Sequence, residues 1–263
     1  VGTTSYIIPD DILPNVRFLA DRVDDVELVL FEVDDGPNNL PGPEVVAELG
    51  EIAGRHDLTY TVHLPLDLRL GDGGDEGHAS LVKAYRVIDC VGPLEPWAYV
   101  LHLDGEDLKG PDGAFPESDD ACVKTWQDHS CRALELVSGR AGGPDCLALE
   151  NLEHYPAELT DPILERVPVG RCVDVGHLWL DGEDPVPVLE AALPRTRVVH
   201  LHGIAERDHK SLAHVPPEQL GPVVALLHDS GFSGVVTLEV FGREDLETSV
   251  EVLKRAVEEG GKH

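Results

Sequence analysis

Residues 146–151 read Cys-Leu-Ala-Leu-Glu-Asn, residues 171–177 read Arg-Cys-Val-Asp-Val-Gly-His and residues 198–203 read Val-Val-His-Leu-His-Gly. Each run is short, mostly apolar and partly β-branched, and each ends in an acid or an imidazole. That is the form of a strand covered on both faces, with a polar residue where it leaves the sheet. Outward from these three, similar runs occur at Gly2–Ile8, Val26–Glu32, Thr59–Pro65 and Ala98–Asp104, and once more at Val235–Phe241. Helical patterns lie between them. Val45, Val46, Leu49, Ile52 and Ala53 keep a helical spacing behind Gly42-Pro43, with Pro at the first helical position. Ser118-Asp119-Asp120 starts a helix over Ala121–Val137 and puts acids at the positive end of its dipole. Pro216-Pro217 opens another helix and Ser230-Gly231 closes it.

Eight strands, each followed by a helical segment, imply parallel pairing through right-handed crossovers. Within 263 residues that predicts a single closed (β/α)8 TIM barrel covering residues 1–263, since such barrels commonly run to about 250 residues. An open doubly wound sheet is the competing arrangement. Against it, the Gly-rich segment Gly71–Gly77 lacks the dinucleotide fingerprint and reads as a flexible loop after the third strand. Gly105–Ser118 reads as a long loop after the fourth. No linker or shift in composition marks a second domain.

Composition narrows the partners. Twenty basic and 50 acidic side chains leave a formal charge of −30. Duplex binding draws on Lys and Arg displacing counterions from phosphates, so the charge disfavours nucleic acid as a partner, and anionic lipid surfaces with it; neither is expected. Lys is scarce beside Arg, six against 14, which together with the acidity suits a salt-adapted organism. The five cysteines, Cys90, Cys122, Cys131, Cys146 and Cys172, are odd in number and form no C-x-x-C pair. Buried thiols in a reducing compartment are expected. No apolar run reaches the ~20 residues of a membrane span, and no leader pattern opens the chain, so a cytoplasmic protein is expected, as monomer or homodimer.

The strand ends carry the chemistry. In order they are Glu32, His63, His102, Glu150-Asn151, Asp174 with His177, His200 with His202, and Glu239. A barrel gathers its site where strands end and the following loops begin, so these scattered residues converge. Carboxylates gathered with few cations repel one another, and a divalent ion removes that penalty. Imidazole mixed with carboxylate suits zinc, manganese, cobalt or iron better than calcium. His200 and His202 share a face by the two-residue period, and the one nearer the strand end, His202, is expected to be the ligand. His56, His78, His129, His228 and His263 are expected to be solvated.

The series Glu150-Asn151, Asp174-x-x-His177, His200-x-His202 and Glu239 resembles the xylose-isomerase-like barrel superfamily, which holds sugar isomerases and epimerases together with metal-dependent apurinic endonucleases. The resemblance implies one metal held by Glu150, Asp174, His202 and Glu239. Its endonuclease branch implies further zinc ions on His63 and His102 and on residues after the seventh strand, for which Asp208 and His209 stand here at a shorter spacing. A narrower resemblance lies in Gly2-Thr-Thr-Ser-Tyr-Ile-Ile-Pro9, Ile12-Leu-Pro-Asn-Val16, Val26-Glu-Leu-Val-Leu-Phe-Glu32 and Asp208-His-Lys-Ser-Leu212. These resemble the cobamide-remodelling phosphodiesterases of bacteria and archaea, which open the nucleotide loop of a corrinoid.

The ligand set and the charge together imply hydrolysis of a small-molecule phosphoester with two or three divalent ions, zinc or manganese, per chain. Glu150 and Glu239 are the expected bridging catalytic carboxylates, His177 a further ligand, and Lys210, with Arg207 and Ser211, the group steadying phosphate. Glu32 and Asn151 are expected on the substrate side, Asn151 alternatively orienting Glu150. The competing function is a sugar or sugar-phosphate isomerase or epimerase, which needs only the four-ligand core. An apurinic endonuclease and a non-catalytic corrinoid or sugar binder stand behind both.

Overall fold

The computed structural model describes residues 1–32 and 38–260. Eight parallel strands close into one barrel in sequence order: β1 (Gly2–Thr4), β2 (Asp25–Val29), β3 (Thr59–His63), β4 (Ala98–Leu101), β5 (Leu147–Glu150), β6 (Gly170–Asp174), β7 (Thr196–Leu201) and β8 (Val235–Leu238). The ring shuts through β1 and β8, with Gly2 opposite Thr237 and Thr3 opposite Leu238. All eight expected strands form, but most stop two to four residues short of their expected ends. The ladder ends where the chain turns into a loop or helix, and apolar character continues past that point. Glu32 therefore lies beyond β2, in an isolated bridge with Asn38.

The helices between and after the strands are α1 (Ile12–Leu19), α2 (Pro43–His56), α3 (Ala79–Val91), α4 (Ala121–Ala141), α5 (Ala157–Arg166), α6 (Val175–Leu180), α7 (Pro185–Ala192), α8 (Pro217–Asp229) and α9 (Arg243–Gly260). They follow their caps. Pro43 starts α2, whose Val46, Leu49 and Ile52 are buried. Asp120 accepts a hydrogen bond from the Cys122 amide at 2.9 Å to cap α4. Pro217 opens α8, after which Gly231 takes a left-handed φ of 65°. The sixth strand departs from expectation in detail: Val175 and Gly176 begin the short helix α6 rather than continuing the strand. Asp174 is its N-cap, accepting from the His177 amide at 2.7 Å.

Side chains alternate strictly across the barrel wall. Val26, Leu28, Tyr60, Val62, Tyr99, Leu101, Leu147, Leu149, Val173, Val199, Leu201 and Leu238 join the large core between strands and helices. A smaller cluster, Ala98, Val100, Ala148, Cys172 and Val198, fills the lumen near the strand starts. The alternation carries the next inward positions, nearer the strand ends, to polar residues: Glu27, Thr61, His63, Glu150, Asp174, His200, Thr237 and Glu239, all buried. An apolar floor beneath a polar upper lumen is what positions the site. All five cysteines are free, but only Cys131 and Cys172 are buried, and Cys122 is exposed, against expectation. No helix among the described residues is long and apolar enough to cross a membrane.

Candidate metal centre

Glu150, at the end of β5, faces two ways. Its Oε2 lies 3.2 Å from His63 Nε2 and 3.1 Å from His102 Nε2. Its Oε1 lies 3.5 Å from His200 Nδ1. The His200 Nδ1 atom is also 3.6 Å from Asp174 Oδ2 and 3.1 Å from Glu239 Oε2. Two groups able to hold a metal therefore share one carboxylate: His63–His102–Glu150 and Glu150–Asp174–His200–Glu239. A third, His177–His202–His209, stands beside them, and Cys172 lies within reach of Glu150 and His200.

Several of these atoms, although buried, have no hydrogen-bond partner among the described residues: His200 Nδ1, Asp174 Oδ2, Glu239 Oε2 and His202 Nε2. Leaving such groups unpaired costs about 1–3 kcal/mol each, more when charged. Ligand bonds of about 2.0–2.1 Å in tetrahedral geometry put neighbouring donors about 3.3–3.4 Å apart. The spacings around His200 Nδ1 bracket that value, so the residues present fit a transition-metal ion. The remaining nitrogens are oriented for it too. His63 Nδ1 donates to the Leu64 carbonyl at 2.8 Å, which leaves its Nε2 toward Glu150, while His177 Nδ1 donates to the Asn151 carbonyl at 3.0 Å and its Nε2 lies 3.4 Å from Glu153.

The electrostatics of the metal-free cluster are those of protons standing where cations would. Burial disfavours charge on His63, His177 and His209, yet the surrounding carboxylates outweigh it and lift each pKa to about 9. For His63 the hydrogen bond and charge of Glu150 dominate the upward side, for His177 the charge of Asp174, and for His209 the carboxylate of Glu239, whose Oε2 lies 3.3 Å from its Nε2. His200 is driven well above the ordinary imidazole range in the same way. Burial opposes ionisation of Glu150, Asp174 and Glu239, but the imidazolium charges overcome it, with Asp174 pulled down to about 2 and both glutamates well below the usual range.

His200 joins the four-residue group in the place expected for His202, and His202 belongs instead to the third group, with His177 and His209. The register sets Asp174 directly beside His200, while His202 Nε2 approaches Asp174 Oδ1 at 3.2 Å from the neighbouring group. The short spacing to His209 is no obstacle. Gly203 and Lys210 exchange backbone hydrogen bonds of 2.6 and 2.9 Å, folding the intervening loop back so that the His209 ring stacks on His202 with centroids 4.4 Å apart. A Cβ at Gly203 would fall 2.1 Å from the Ser211 carbonyl oxygen, so this close approach requires glycine.

The other expected site residues lie outside the metal-capable groups found among the described residues. Asp208 belongs to none of the metal-capable groups and sits 3.2 Å from His209 Nδ1. Lys210 Nζ faces Glu206 at 3.5 Å and Asp245 at 3.8 Å rather than the centre. Ser211 Oγ bonds Thr248 and caps the turn at Ala213. Arg207 is exposed. The Asn151 amide neither orients Glu150 nor stands free: it donates to the Asp174 carbonyl and accepts from the Asp174 amide, both at 2.9 Å. Buried Glu32 pairs with Arg86. Of the histidines expected in solvent, His228 is exposed, His56 pairs with Asp21, and His78 and His129 are half-buried; His263 lies outside the described residues.

Glu27 is the residue that sequence reasoning misses. It is fully buried on β2, and its Oε2 lies 3.0 Å from His200 Nε2. Its signal is the alternation Asp25-Val-Glu27-Leu-Val29, which places acids mid-strand on one face rather than at the strand end.

A family model described as the xylose isomerase-like TIM barrel matches residues 21–256. None of the curated proteins compared matches the chain. Among solved structures, a D-tagatose 3-epimerase-like protein is 20% identical with a TM-score of 0.76, the alignment covering 99% of this chain and 98% of that one. Endonuclease IV from Thermus thermophilus is 18% identical at a TM-score of 0.68, covering 98% of each. The probable 3-DHS dehydratase AsbF from Bacillus anthracis is 15% identical at 0.72, covering 96% and 98%. At these identities the likeness is one of fold.

Proposed function

The chain belongs to the xylose isomerase-like TIM barrel family, and from that premise we propose that it is a metal-dependent hydrolase of a small-molecule phosphoester, with a cobamide as substrate. The observation that carries this reading is the shared carboxylate. Glu150 presents one oxygen to His63 and His102 and the other toward His200, and a third group of imidazoles stands alongside. Such an arrangement supports two or three ions, zinc or manganese by donor type. When bound, divalent ions polarise a phosphoryl oxygen, bring water toward ionisation near neutral pH and neutralise the departing alkoxide. The protein's part is to hold donors rigidly. Glu150 and Asp174 are fixed at strand ends, Asp174 is clamped by Asn151, and His209 is brought over the mouth by the loop closed at Gly203 and Lys210.

The cobamide assignment rests on the resemblance carried by the opening segments. Two of them leave β1 and β2 side by side at the mouth, where the Tyr6 and Phe31 rings lie 5.7 Å apart. That supplies an apolar rim suited to a large flat macrocycle. The charge of −30 argues against a polymeric nucleic acid in the same mouth.

One set of observations favours a second reading, a sugar or sugar-phosphate isomerase or epimerase. The four-residue group around His200 suffices for it, and sugar epimerases recur among the similar solved structures. There Glu150 and Glu239 would act as acid and base on either side of a ketose, leaving His63 and His102 without a part in metal binding. Ion content and a substrate panel separate the two. The hydrolase reading expects two or three ions per chain by mass spectrometry and loss of the nucleotide loop from a cobamide. It also expects Glu150→Gln to lower turnover by more than the roughly 10–100-fold seen when groups merely supporting a ligand are changed. One ion per chain with turnover of a ketose would establish the second reading instead.

A further inference from the structure

We propose that Glu27 is a positioning residue for the centre, holding His200 so that Nδ1, and not Nε2, is its metal-binding atom. The inference rests on the metal-centre reading and extends it to a residue outside every metal-capable group among the described residues.

The two ring nitrogens of His200 have different surroundings. Nε2 points across the lumen at Glu27 Oε2, 3.0 Å away. Nδ1 points at Glu150, Asp174 and Glu239 and has no hydrogen-bond partner among the described residues. A carboxylate accepts and cannot donate while ionised, so Glu27 fixes the proton on Nε2 and leaves the Nδ1 lone pair to the centre. A neutral imidazole supplies only one such lone pair, and this contact decides which. The partner also leans the ring's electron density toward Nδ1, raising its strength as a donor.

Packing does not explain Glu27. Its side chain is wholly shielded from solvent, and removing a carboxylate from water costs several kcal/mol unless paired. A leucine or valine would fill the lumen without that cost, as Ala98, Val100 and Val198 do lower down. Among the described residues no Lys or Arg is placed against it, and His200 is its ion-pair partner. Nor are β2 and β7 neighbours in the sheet: β8 and β1 separate them. The contact therefore spans the barrel interior and is not a by-product of strand pairing. It joins the opening strand-pair of the chain to a ligand 173 positions later.

The test measures binding rather than turnover. Wild type and Glu27→Gln are loaded with Zn²⁺, and affinity is read by competition with a chelator while long-range nitrogen–proton NMR follows the His200 ring. In the zinc-loaded wild type the inference expects Nε2 to carry the proton, with the Nδ1 resonance moved from its metal-free position. In Glu27→Gln, which keeps the shape and loses the charge, it expects the tightest ion to be held about 10–100-fold more weakly. A group with only a packing role would move neither readout. Wild-type His200 protonated at Nδ1 with Nε2 bound would overturn the inference, as would unchanged affinity in a folded Glu27→Gln. Should that variant fail to fold, the wild-type spectrum alone decides. A wild type that takes up no divalent ion would instead overturn the metal centre itself, a distinct outcome.

Discussion

At the residue scale, Asn151 shows how Asp174 is kept in place. Both ends of its amide are engaged by the main chain of Asp174, at 2.9 Å each, so the strand end carrying Asp174 cannot rotate without breaking two hydrogen bonds. Asn151→Ala leaves the Asp174 amide without its acceptor. The expected cost is about 1–3 kcal/mol in a urea melt, together with weaker ion binding, whereas an Asn151 whose role was substrate contact would leave the melt unchanged. The same residue marks how far sequence can be read. Its place beside Glu150 is evident, but its partner is not, because that partner comes from the neighbouring strand 23 positions on. His200 and His202 make the same point. Periodicity puts both on the inner face, but which one stands level with Asp174 depends on the stagger between β6 and β7, and stagger is a property of barrel closure.

At the scale of elements, α6 and β7 approach so closely that Gly176 has no room for a side chain. A Cβ there would lie 2.2 Å from His202 Cε1 and 2.3 Å from its Nε2. Gly176→Ala must therefore push the His202 ring away from His177 and His209. The expected outcome is an ion at that third group bound at least about tenfold more weakly, with the His63–His102–Glu150 group unaffected, as resolved by metal titration. Equal binding at all positions would show that His202 is not needed there. The existence and order of strands and helices is legible because alternation and caps are local signals. Their ends are not, since β1 through β8 stop where pairing partners run out, while the apolar pattern runs on toward the mouth.

For the molecule as a whole, the charge of −30 and the charge inside the barrel obey different rules. Surface acids are screened within a Debye length of about 8–10 Å at ordinary salt. The buried acids are answered individually by His63, His177, His200 and His209. Of these, His63, His177 and His209 hold their protons to about pH 9, where a solvent-exposed histidine would release its own near 6.5. Raised histidine pKa values stabilise the metal-free fold fully below about 6.5, and that stability is lost as pH rises through about 9. The lowered Asp174 works in the opposite direction, its contribution present above about 3.8 and lost as pH falls through about 2. The metal-free protein should therefore be most resistant to urea between about pH 4 and 6.5, as far as this cluster decides it. Ions must displace the same protons, so affinity should rise with pH up to about 9, with proton release visible by calorimetry in buffers of different ionisation enthalpy. Binding without proton release would contradict the charge state assigned to these rings.

The shared carboxylate and its attendant imidazolium ions also bear on how the protein matures. A zinc finger must meet its ion in order to fold, because nothing else holds its ligands together. Here hydrogen bonds already hold His63, His102 and Glu150 together. On the metal-centre reading, metallation is an exchange of protons for ions at donors already in place.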